Sequence, residues 1–531
     1  MTGSIESAAE VARWLRGVLP SGATLVADSR RVAPGDAFLA FPGERSDGRR
    51  HLAQALERGA AALLLEAEGA EPAHAPVPQR RVAGLRRLAG PIADAFLGAP
   101  SARLDVVAVT GTNGKTSCSQ WIAQGLHAGG RRAAVVGTLG AGRLADAGAG
   151  GTGEAPALVL EDTGLTTPDA LSLQALFARF AAEGVGAVAI EASSIGLHQH
   201  RLDGTRIAVA AFTNLTRDHL DYHGTMSAYA DAKARLFAWP GLRAAVVNLD
   251  DPWHATMLAQ VAPGVQRIGY RIGAPGLAAA DAGGESACRL AAGEVDRRLV
   301  ATSIEPVGRG MRIGLDGDWG RATLESPLLG RFNVSNLLAV AGAWLALGMR
   351  FDDAVSRLAA LRPVPGRLQA VDAGAAPGPL AVVDYAHTPD ALDNALAALR
   401  PVARSRGGLL WCVFGAGGDR DPGKRPLMGA VAQRGADRVV LTSDNPRGEP
   451  PEAILDAIQA GLDAAPALRD ADRARAIAGT LARAADADVV LIAGKGHEPY
   501  QEIAGTRLAF LDTEHAARAL ERRRRAEAAG A

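Results

Sequence analysis

Val106-Val107-Ala108-Val109-Thr110 runs without a break into Gly111-Thr112-Asn113-Gly114-Lys115-Thr116-Ser117, and a helical pattern follows. Apolar, β-branched residues bounded by glycine predict a buried strand. A Gly-rich turn between strand and helix aims free backbone N–H groups at whatever sits above it, which is the geometry of a phosphate site. Lys115 is spaced to reach terminal phosphates, and Thr116 to offer its hydroxyl to Mg2+. The general phosphate-loop spacing has another glycine two residues before Gly111, where this chain has Val109, so the loop is a shortened variant. A Gly-Lys-Thr directly after a buried strand separates it from an ordinary glycine turn.

Outward from that loop the chain repeats apolar strand, Gly-rich turn and helix, the grammar of α/β proteins. The predicted strands are 106–110, 186–190, 207–212 and 244–248, then 380–383, 409–414, 438–442 and 489–492. Two junctions interrupt the pattern. One is Leu97-Gly98-Ala99-Pro100-Ser101; the other is Leu361-Arg362-Pro363-Val364-Pro365-Gly366, whose prolines end a helical run. The first hundred residues mix short β-like runs with a helix. The stretch from Gly140 to Pro156 reads as a loose surface loop, and Ala278 to Trp319 as looser β structure with Gly and Asp turns.

A chain of 531 residues exceeds one ordinary core and predicts about three domains. Lys and Arg number 57 against 57 Asp and Glu, so no global field favours nucleic acid or anionic lipid. Cys118, Cys288 and Cys412 are odd in number and far apart, which supports neither a disulfide framework nor a zinc site. The longest apolar run, Leu337 to Met349, is thirteen residues, short of the ~18 of a membrane span. With no signal-like start, a cytoplasmic protein without membrane insertion is expected. The basic stretch Glu521-Arg522-Arg523-Arg524-Arg525 reads as a solvated helix end.

Mg2+ needs hard oxygen donors. Glu191 closes the apolar run Val188-Ala189-Ile190, and His219 follows the next strand in Arg217-Asp218-His219-Leu220-Asp221. Groups at the C-terminal ends of strands in an open parallel sheet lie on its ligand-binding edge. From the residues alone the reading ends at an ATP–Mg2+ site in an α/β enzyme.

These segments, in this order, resemble the Mur ligases of peptidoglycan synthesis. The resemblance spans nearly the whole chain. It runs from Asp28-Ser29-Arg30 and the phosphate loop through Leu165-Thr166-Thr167-Pro168, Glu191-Ala192-Ser193-Ser194 and Gln199-His200-Arg201 to Asp218-His219-Leu220-Asp221. It continues in Gly330-Arg331-Phe332-Asn333, Pro365-Gly366-Arg367, Asp384-Tyr385-Ala386-His387, Gly418-Asp419-Arg420-Asp421, Asp444-Asn445-Pro446-Arg447 and Gly494-Lys495-Gly496-His497-Glu498. The resemblance implies three α/β domains: a small N-terminal domain over 1–102 for the UDP-sugar, a central ATPase-type sheet with helices over 103–361, and a Rossmann-like C-terminal domain over 362–531 for an amino acid. It implies ATP-dependent amide formation through an acyl phosphate on the D-Glu γ-carboxylate of UDP-MurNAc-L-Ala-D-Glu, by a protein expected to be a monomer.

Residue by residue, the resemblance assigns Gly111, Thr112, Asn113, Gly114, Lys115, Thr116 and Ser117, with Asn336, Arg367 and Asp384, to ATP. Thr116, Glu191 and His219 are assigned to Mg2+, with Lys115, His219 and Lys233 catalytic and Lys233 present as N6-carboxylysine. From position alone Lys233 would be a solvated helix lysine. Ser29, Thr166, Thr167, Ser193, Gln199 and Arg201 are assigned to the UDP-MurNAc-dipeptide, with the loop Glu44-Arg45-Ser46 beside the UDP, and His387 falls near the nucleotide contacts. Leu165 stands where some relatives have Asn, which removes one side-chain contact.

Arg420, Asp444, Asn445, Pro446, Arg447, Gly494 and Glu498 follow three separate predicted strands and are assigned to the amino acid. Arg447 discriminates. The Asp-Asn-Pro-Arg loop resembles enzymes that add meso-diaminopimelate, whereas relatives that add L-lysine usually lack that arginine. The two substrates differ by one carboxylate, which a guanidinium fork pairs bidentately. Glu498 would hold an ammonium of the same substrate. The alternatives are an L-lysine-adding relative, a folylpolyglutamate synthetase-like ligase, which has no need of the N-terminal segment or of Asp-Asn-Pro-Arg, and a MurNAc-pentapeptide synthetase. A nucleotide-binding regulator would need neither the metal set nor the amino-acid loops.

Overall fold

The eight predicted strands form within two residues of their expected bounds, distributed over two sheets, and a third sheet precedes them. The computed structural model describes residues 7–44, 46–69, 75–145, 160–273, 294–307, 310–371 and 378–530. Arg45, Cys288, and the greater parts of the 140–156 loop and of the stretch before residue 294 lie outside the described residues.

The N-terminal segment is more regular than its sequence suggests. Leu25–Val26, Ala37–Ala40, Ala62–Glu66 and Gln79–Val82 pair in that order, all parallel, and the helices Ala8–Val18 and Leu85–Phe96 pack side by side on one face. Ser7 and Glu10 close a reciprocal cap on the first helix, a device worth about 1 kcal/mol.

Among the described residues the central sheet has ten strands. Their spatial order is Gly320–Ser326, Gly310–Gly317, Arg297–Val307, Gln266–Ile272, Ala244–Asn248, Val209–Phe212, Asp105–Thr110, Ala187–Glu191, Ala133–Gly137, Gly140–Arg143. From Gln266–Ile272 to Ala133–Gly137 the strands are parallel, and most of their residues are fully buried because helices cover both faces. Gly140–Arg143 corrects the loop reading: it is an edge strand, antiparallel to Ala133–Gly137. The last three strands of the chain's β stretch, Arg297–Val307 onward, form an antiparallel meander at the other end.

Residues 337–346 of the apolar run lie in the helix Arg331–Ala346, buried on nearly every side against the sheet, and Leu347 to Met349 follow its end. Its Trp344 donates from Nε1 to the Ile122 carbonyl at 3.1 Å. Gly125 admits the indole; a Cβ there would come within 2.0 Å of it. Among the described residues no helix is long and apolar enough to cross a membrane.

The C-terminal sheet is ordered Gln369–Ala370, Leu380–Asp384, Val489–Ala493, Leu410–Phe414, Arg438–Leu441, Leu468–Arg469. All pairs but the first are parallel, as a Rossmann-like sheet requires. The final helix, Asp512–Gly530, carries the Arg-rich stretch. Arg523 is not solvated: it is pinned to the Leu481 and Ala484 carbonyls and to Asp486, while Arg525 remains exposed.

Candidate active site

The strands of the central sheet end together along one edge, at Thr110, Gly137, Glu191, Phe212 and Asn248. A cavity of about 480 Å3 opens there, between this edge and the C-terminal sheet. It brings together Thr112 to Ser117, Thr166, Glu191, Ser193, His219, Lys233 and Asn336 with Arg367 and Asp384. Two sheets therefore share one site.

The phosphate loop has the strained backbone its sequence implies. Gly111 sits at φ 148° with its Cα against the Thr213 hydroxyl, where a Cβ would lie 1.9 Å away. Gly114 sits at φ 85°, and a Cβ there would meet Asn336 Oδ1 at 2.4 Å. Asn336 thus lies directly over the loop, carried by the buried helix. Lys115 Nζ donates to the carbonyls of Gly111 and Thr112, both at 2.8 Å, and Thr116 and Ser117 are buried at the start of the helix Lys115–Ala128.

Glu191 is only 1% exposed. The N–H and hydroxyl of Thr138 donate to its two oxygens at 2.9 and 3.0 Å, and the neighbouring strand end is Gly137, which leaves room for the carboxylate. His219 is half exposed at φ 52°, a left-handed conformation uncommon outside glycine, with its N–H on Asp218 Oδ1. Among the described residues no group of three His, Cys, Asp or Glu is arranged to hold a metal. Mg2+ is usually held by one or two carboxylates together with substrate phosphates. A buried carboxylate and the Thr116 hydroxyl beside a phosphate loop fit that mode, with His219 at the rim.

Lys233 overturns the reading from position alone. It is 1% exposed, donates to the Gly111 carbonyl at 2.8 Å, and lies 4.5 Å over the Tyr229 ring. Burial, then the neighbouring Lys115, hold its amine well below the ordinary lysine range. Tyr229 in turn shares a hydrogen bond with Thr112 and stacks near His223, whose imidazole is pushed down to about 4 by burial and by the neighbouring His198, His219 and Lys233. Thr138, Tyr229 and His223 carry no sequence signal beyond their neighbourhood.

The expected sugar-peptide residues divide. Thr166 reaches the cavity and shares a 3.1 Å hydrogen bond with Thr138. Thr167 is fully buried, donating to the Glu191 carbonyl at 2.7 Å and accepting the Ser193 N–H. Its hydroxyl braces the strand end that presents Glu191. Ser193 caps the helix Ser194–His198, and Gln199 and Arg201 bond to one another, with Arg201 Nη1 on the Thr167 carbonyl. Ser29 lies apart from this cavity, in the N-terminal domain, donating to Gln54 at 2.6 Å. Glu44 is tied to Arg86. A second cavity, of about 340 Å3, lies between Arg31 and the helix Ala170–Ala182.

On the far side, burial raises the Asp384 carboxyl to about 6, against the Leu368 N–H at 2.7 Å and the nearby Arg367. Arg367 lies 5.2 Å from the Tyr385 ring. His387 is exposed, stacked edge-on against Tyr385, and does not line the cavity.

The residues expected to hold the amino acid form a separate cluster joined to the first through the Gly494 N–H, which donates to the Asp384 carbonyl at 3.0 Å. Asn445 Nδ2 donates to Glu498 Oε2 at 2.7 Å. Lys495, fully buried and without an assigned role in the sequence, ties Asn445 Oδ1, Glu498 Oε2 and the Tyr500 carbonyl together. Asp444 Oδ2 is buried with no hydrogen-bond partner among the described residues. Arg447, at φ 51°, holds the Gly418 carbonyl through Nη1 at 2.8 Å, and Arg420 is exposed.

Fold and site together define a phosphate-loop α/β enzyme whose central site is completed by a Rossmann-like domain. Comparison with known proteins narrows this class. Residues 24–96 match the Mur ligase family catalytic domain, 109–344 the Mur ligase middle domain, and 366–496 the Mur ligase glutamate ligase domain. The chain belongs to the Mur ligase family. It is 50% identical to the UDP-N-acetylmuramoyl-L-alanyl-D-glutamate--2,6-diaminopimelate ligase of Ralstonia nicotianae over 522 residues, covering 97% of this chain and 96% of the relative. The protein of that name from Acidovorax sp. is 50% identical over 97% of each chain. A solved structure of a ligase with the same name superimposes with a TM-score of 0.68 at 35% identity, covering 94% of this chain and 95% of the other.

Proposed function

We propose that this protein joins meso-diaminopimelate to the γ-carboxylate of D-Glu in UDP-MurNAc-L-Ala-D-Glu, with ATP supplying the leaving group as an acyl phosphate. One observation carries the chemistry: a single cavity is lined by the phosphate loop and Glu191 from one sheet and by Arg367 and Asp384 from another. A carboxylate is a poor acyl donor until its oxygen can leave, and phosphoryl transfer depends on positioning and charge neutralisation more than on covalent help. The names of the relatives support the choice of substrates.

In this reading the N–H groups from Gly111 to Ser117 bind phosphates, and Lys115 exchanges its two loop carbonyls for phosphate oxygens. Asn336, Arg367 and Asp384 hold the nucleotide from the facing side. Mg2+, held by Glu191, Thr116 and His219, would neutralise phosphate charge during transfer. The Lys233 amine, its pKa lowered by burial, can as the free base add CO2 with loss of one proton to give the carbamate, an anion lining the same cavity as the residues that would hold Mg2+. Ser29, Thr166, Ser193, Gln199 and Arg201 serve the sugar peptide, with Thr167 bracing them. Arg447 pairs the carboxylate that distinguishes diaminopimelate from lysine, Arg420 lies at the rim, and Glu498 accepts an ammonium. A cytoplasmic monomer with segments 1–102, 103–361 and 362–531 as its domains completes the proposal.

The test is phosphate release from ATP, Mg2+ and UDP-MurNAc-L-Ala-D-Glu, with meso-diaminopimelate compared against L-lysine. A new tripeptide product with diaminopimelate alone is expected. Equal use of lysine would overturn the role given to Arg447, and no product with either amine would overturn the reaction.

A further inference from the structure

Arg473 has entered none of the roles above. It opens the helix Arg473–Arg483 and is fully buried with Asp512, the first residue of the final helix. Nε and Nη2 donate to the two Asp512 oxygens, both at 2.7 Å. The guanidinium has donors left over. Nη1 donates to the Ser443 carbonyl at 3.1 Å and Nη2 to the Ala493 carbonyl at 3.0 Å.

Those two carbonyls have a special place. Ser443 immediately precedes Asp444, and Ala493 immediately precedes Gly494, so each is the root of one loop of the amino-acid cluster. The strands that lead to them are not neighbours, because Leu410–Phe414 lies between. At about 4.8 Å per strand their axes are about 10 Å apart, too far for a ladder hydrogen bond. One planar, rigid fork bridges that gap. Above it the loops converge: a Cβ on Gly494 would lie 2.3 Å from Asp444 Oδ2, and Asn445 reaches Glu498. A change in the spacing of the two roots would therefore move Asn445 and Arg447 relative to Glu498.

We infer that Arg473 is a positioning residue for the amino-acid site, setting the spacing of its two loops, and that Asp512 orients it. The inference rests on the reading of those loops as the diaminopimelate site. A buried ion pair that served stability alone could be exchanged for apolar side chains of similar volume with little loss. Here the exchange also removes the donors from both loop roots.

The experiment measures KM separately for meso-diaminopimelate, ATP and UDP-MurNAc-L-Ala-D-Glu in the wild type, in Arg473→Met combined with Asp512→Leu, and in Arg473→Lys. The double variant removes both charges together. The lysine keeps a charge for Asp512 but cannot span both carbonyls. Each folded variant should raise KM for diaminopimelate about tenfold or more, leave the other two KM values within about twofold, and narrow the preference over lysine. A diaminopimelate KM unchanged in a folded variant would overturn the inference, as would a parallel rise in all three. Failure of both variants to fold would make the pair purely structural and would overturn it too. Should the wild type make no product with diaminopimelate, the reading of the site falls first, and visibly so before any variant is compared.

Discussion

Gly137→Ala tests whether the Glu191 carboxylate has to stay where the strand end puts it. Gly137 has no left-handed backbone requirement, so alanine adds only volume. The new Cβ would lie 2.2 Å from Glu191 Oε1, 2.7 Å from Cδ and 2.9 Å from Cγ. Ordinary contact begins at 3.4 Å, so the carboxylate must retreat by about 1 Å, and a terminal wag is not enough because Cγ is crowded too. Retreat breaks the two hydrogen bonds from Thr138. Bonds to a charged group are worth roughly 1.5–3 kcal/mol each, but partial rebonding will recover part of that, and a stability loss of about 1–3 kcal/mol is expected. Activity should suffer more. A misplacement of about 1 Å near the reacting atoms can cost about 10²-fold, and a metal ligand that has moved should show it as a requirement for more Mg2+. The assay is phosphate release as a function of Mg2+ concentration, beside a thermal melt. Gly17→Ala is the control: it lies in the helix Ala8–Val18 with none of the described residues within 4 Å of a new Cβ, so it should leave activity untouched and raise stability by about 0.5–1 kcal/mol. A Gly137→Ala protein with wild-type rate and Mg2+ dependence would refute the placement of Glu191 in the chemistry.

Arg447→Met should lower kcat/KM for meso-diaminopimelate by roughly 10–150-fold, the equivalent of one charged hydrogen-bonded pair, while that for lysine stays within a few fold; parallel losses would remove Arg447 from substrate discrimination. Gly114→Ala places a side chain at φ 85° and 2.4 Å from Asn336 Oδ1. It should cost about 1–2 kcal/mol of backbone strain and weaken ADP binding by more than about tenfold in calorimetry, and an unchanged affinity would count against the loop as the nucleotide site. Asp384 is raised from 3.8 to about 6, so between those values the folded protein binds the extra proton and stability contributed by this group falls as pH rises. Asp384→Asn should therefore flatten the pH dependence of urea unfolding between about pH 4 and 6 and gain of the order of 2–3 kcal/mol above it, provided the Leu368 N–H keeps its acceptor; a loss of stability at about pH 7 would contradict this.

The parts legible in the sequence share a physical cause. Val106–Thr110 and Ala244–Asn248 announce themselves because strands buried on both faces need unbroken apolar runs, and the phosphate loop because its glycines answer local backbone demands. Gly140–Arg143 is illegible: Gly-Ala-Gly-Arg has no strand propensity, and its pairing partner imposes the conformation. Lys233 sits in Met-Ser-Ala-Tyr-Ala-Asp-Ala-Lys-Ala, which offers no distinct apolar face, so its burial depends on the Gly111 carbonyl 122 residues away. Thr167 reads as one hydroxyl among several, yet it serves a strand end 24 residues on. Lys495 and Arg473 show the same limit, since partners 50 and 39 residues distant decide that a basic side chain is fully buried.

The helix Arg331–Ala346 joins two places that lie far apart. Asn336 faces Gly114, and Trp344, eight residues on and about 12 Å along the axis, fills the gap left by Gly125. Position 125 is therefore tied, through Trp344 and Asn336, to the Gly-rich loop at Gly114. Any descendant lineage that enlarges residue 125 must shrink residue 344 in the same step, or the rod slides and carries Asn336 off the loop. Adaptation of this core to heat or cold will travel as paired substitutions, and its first symptom when unpaired will be weaker nucleotide binding in a protein that still folds.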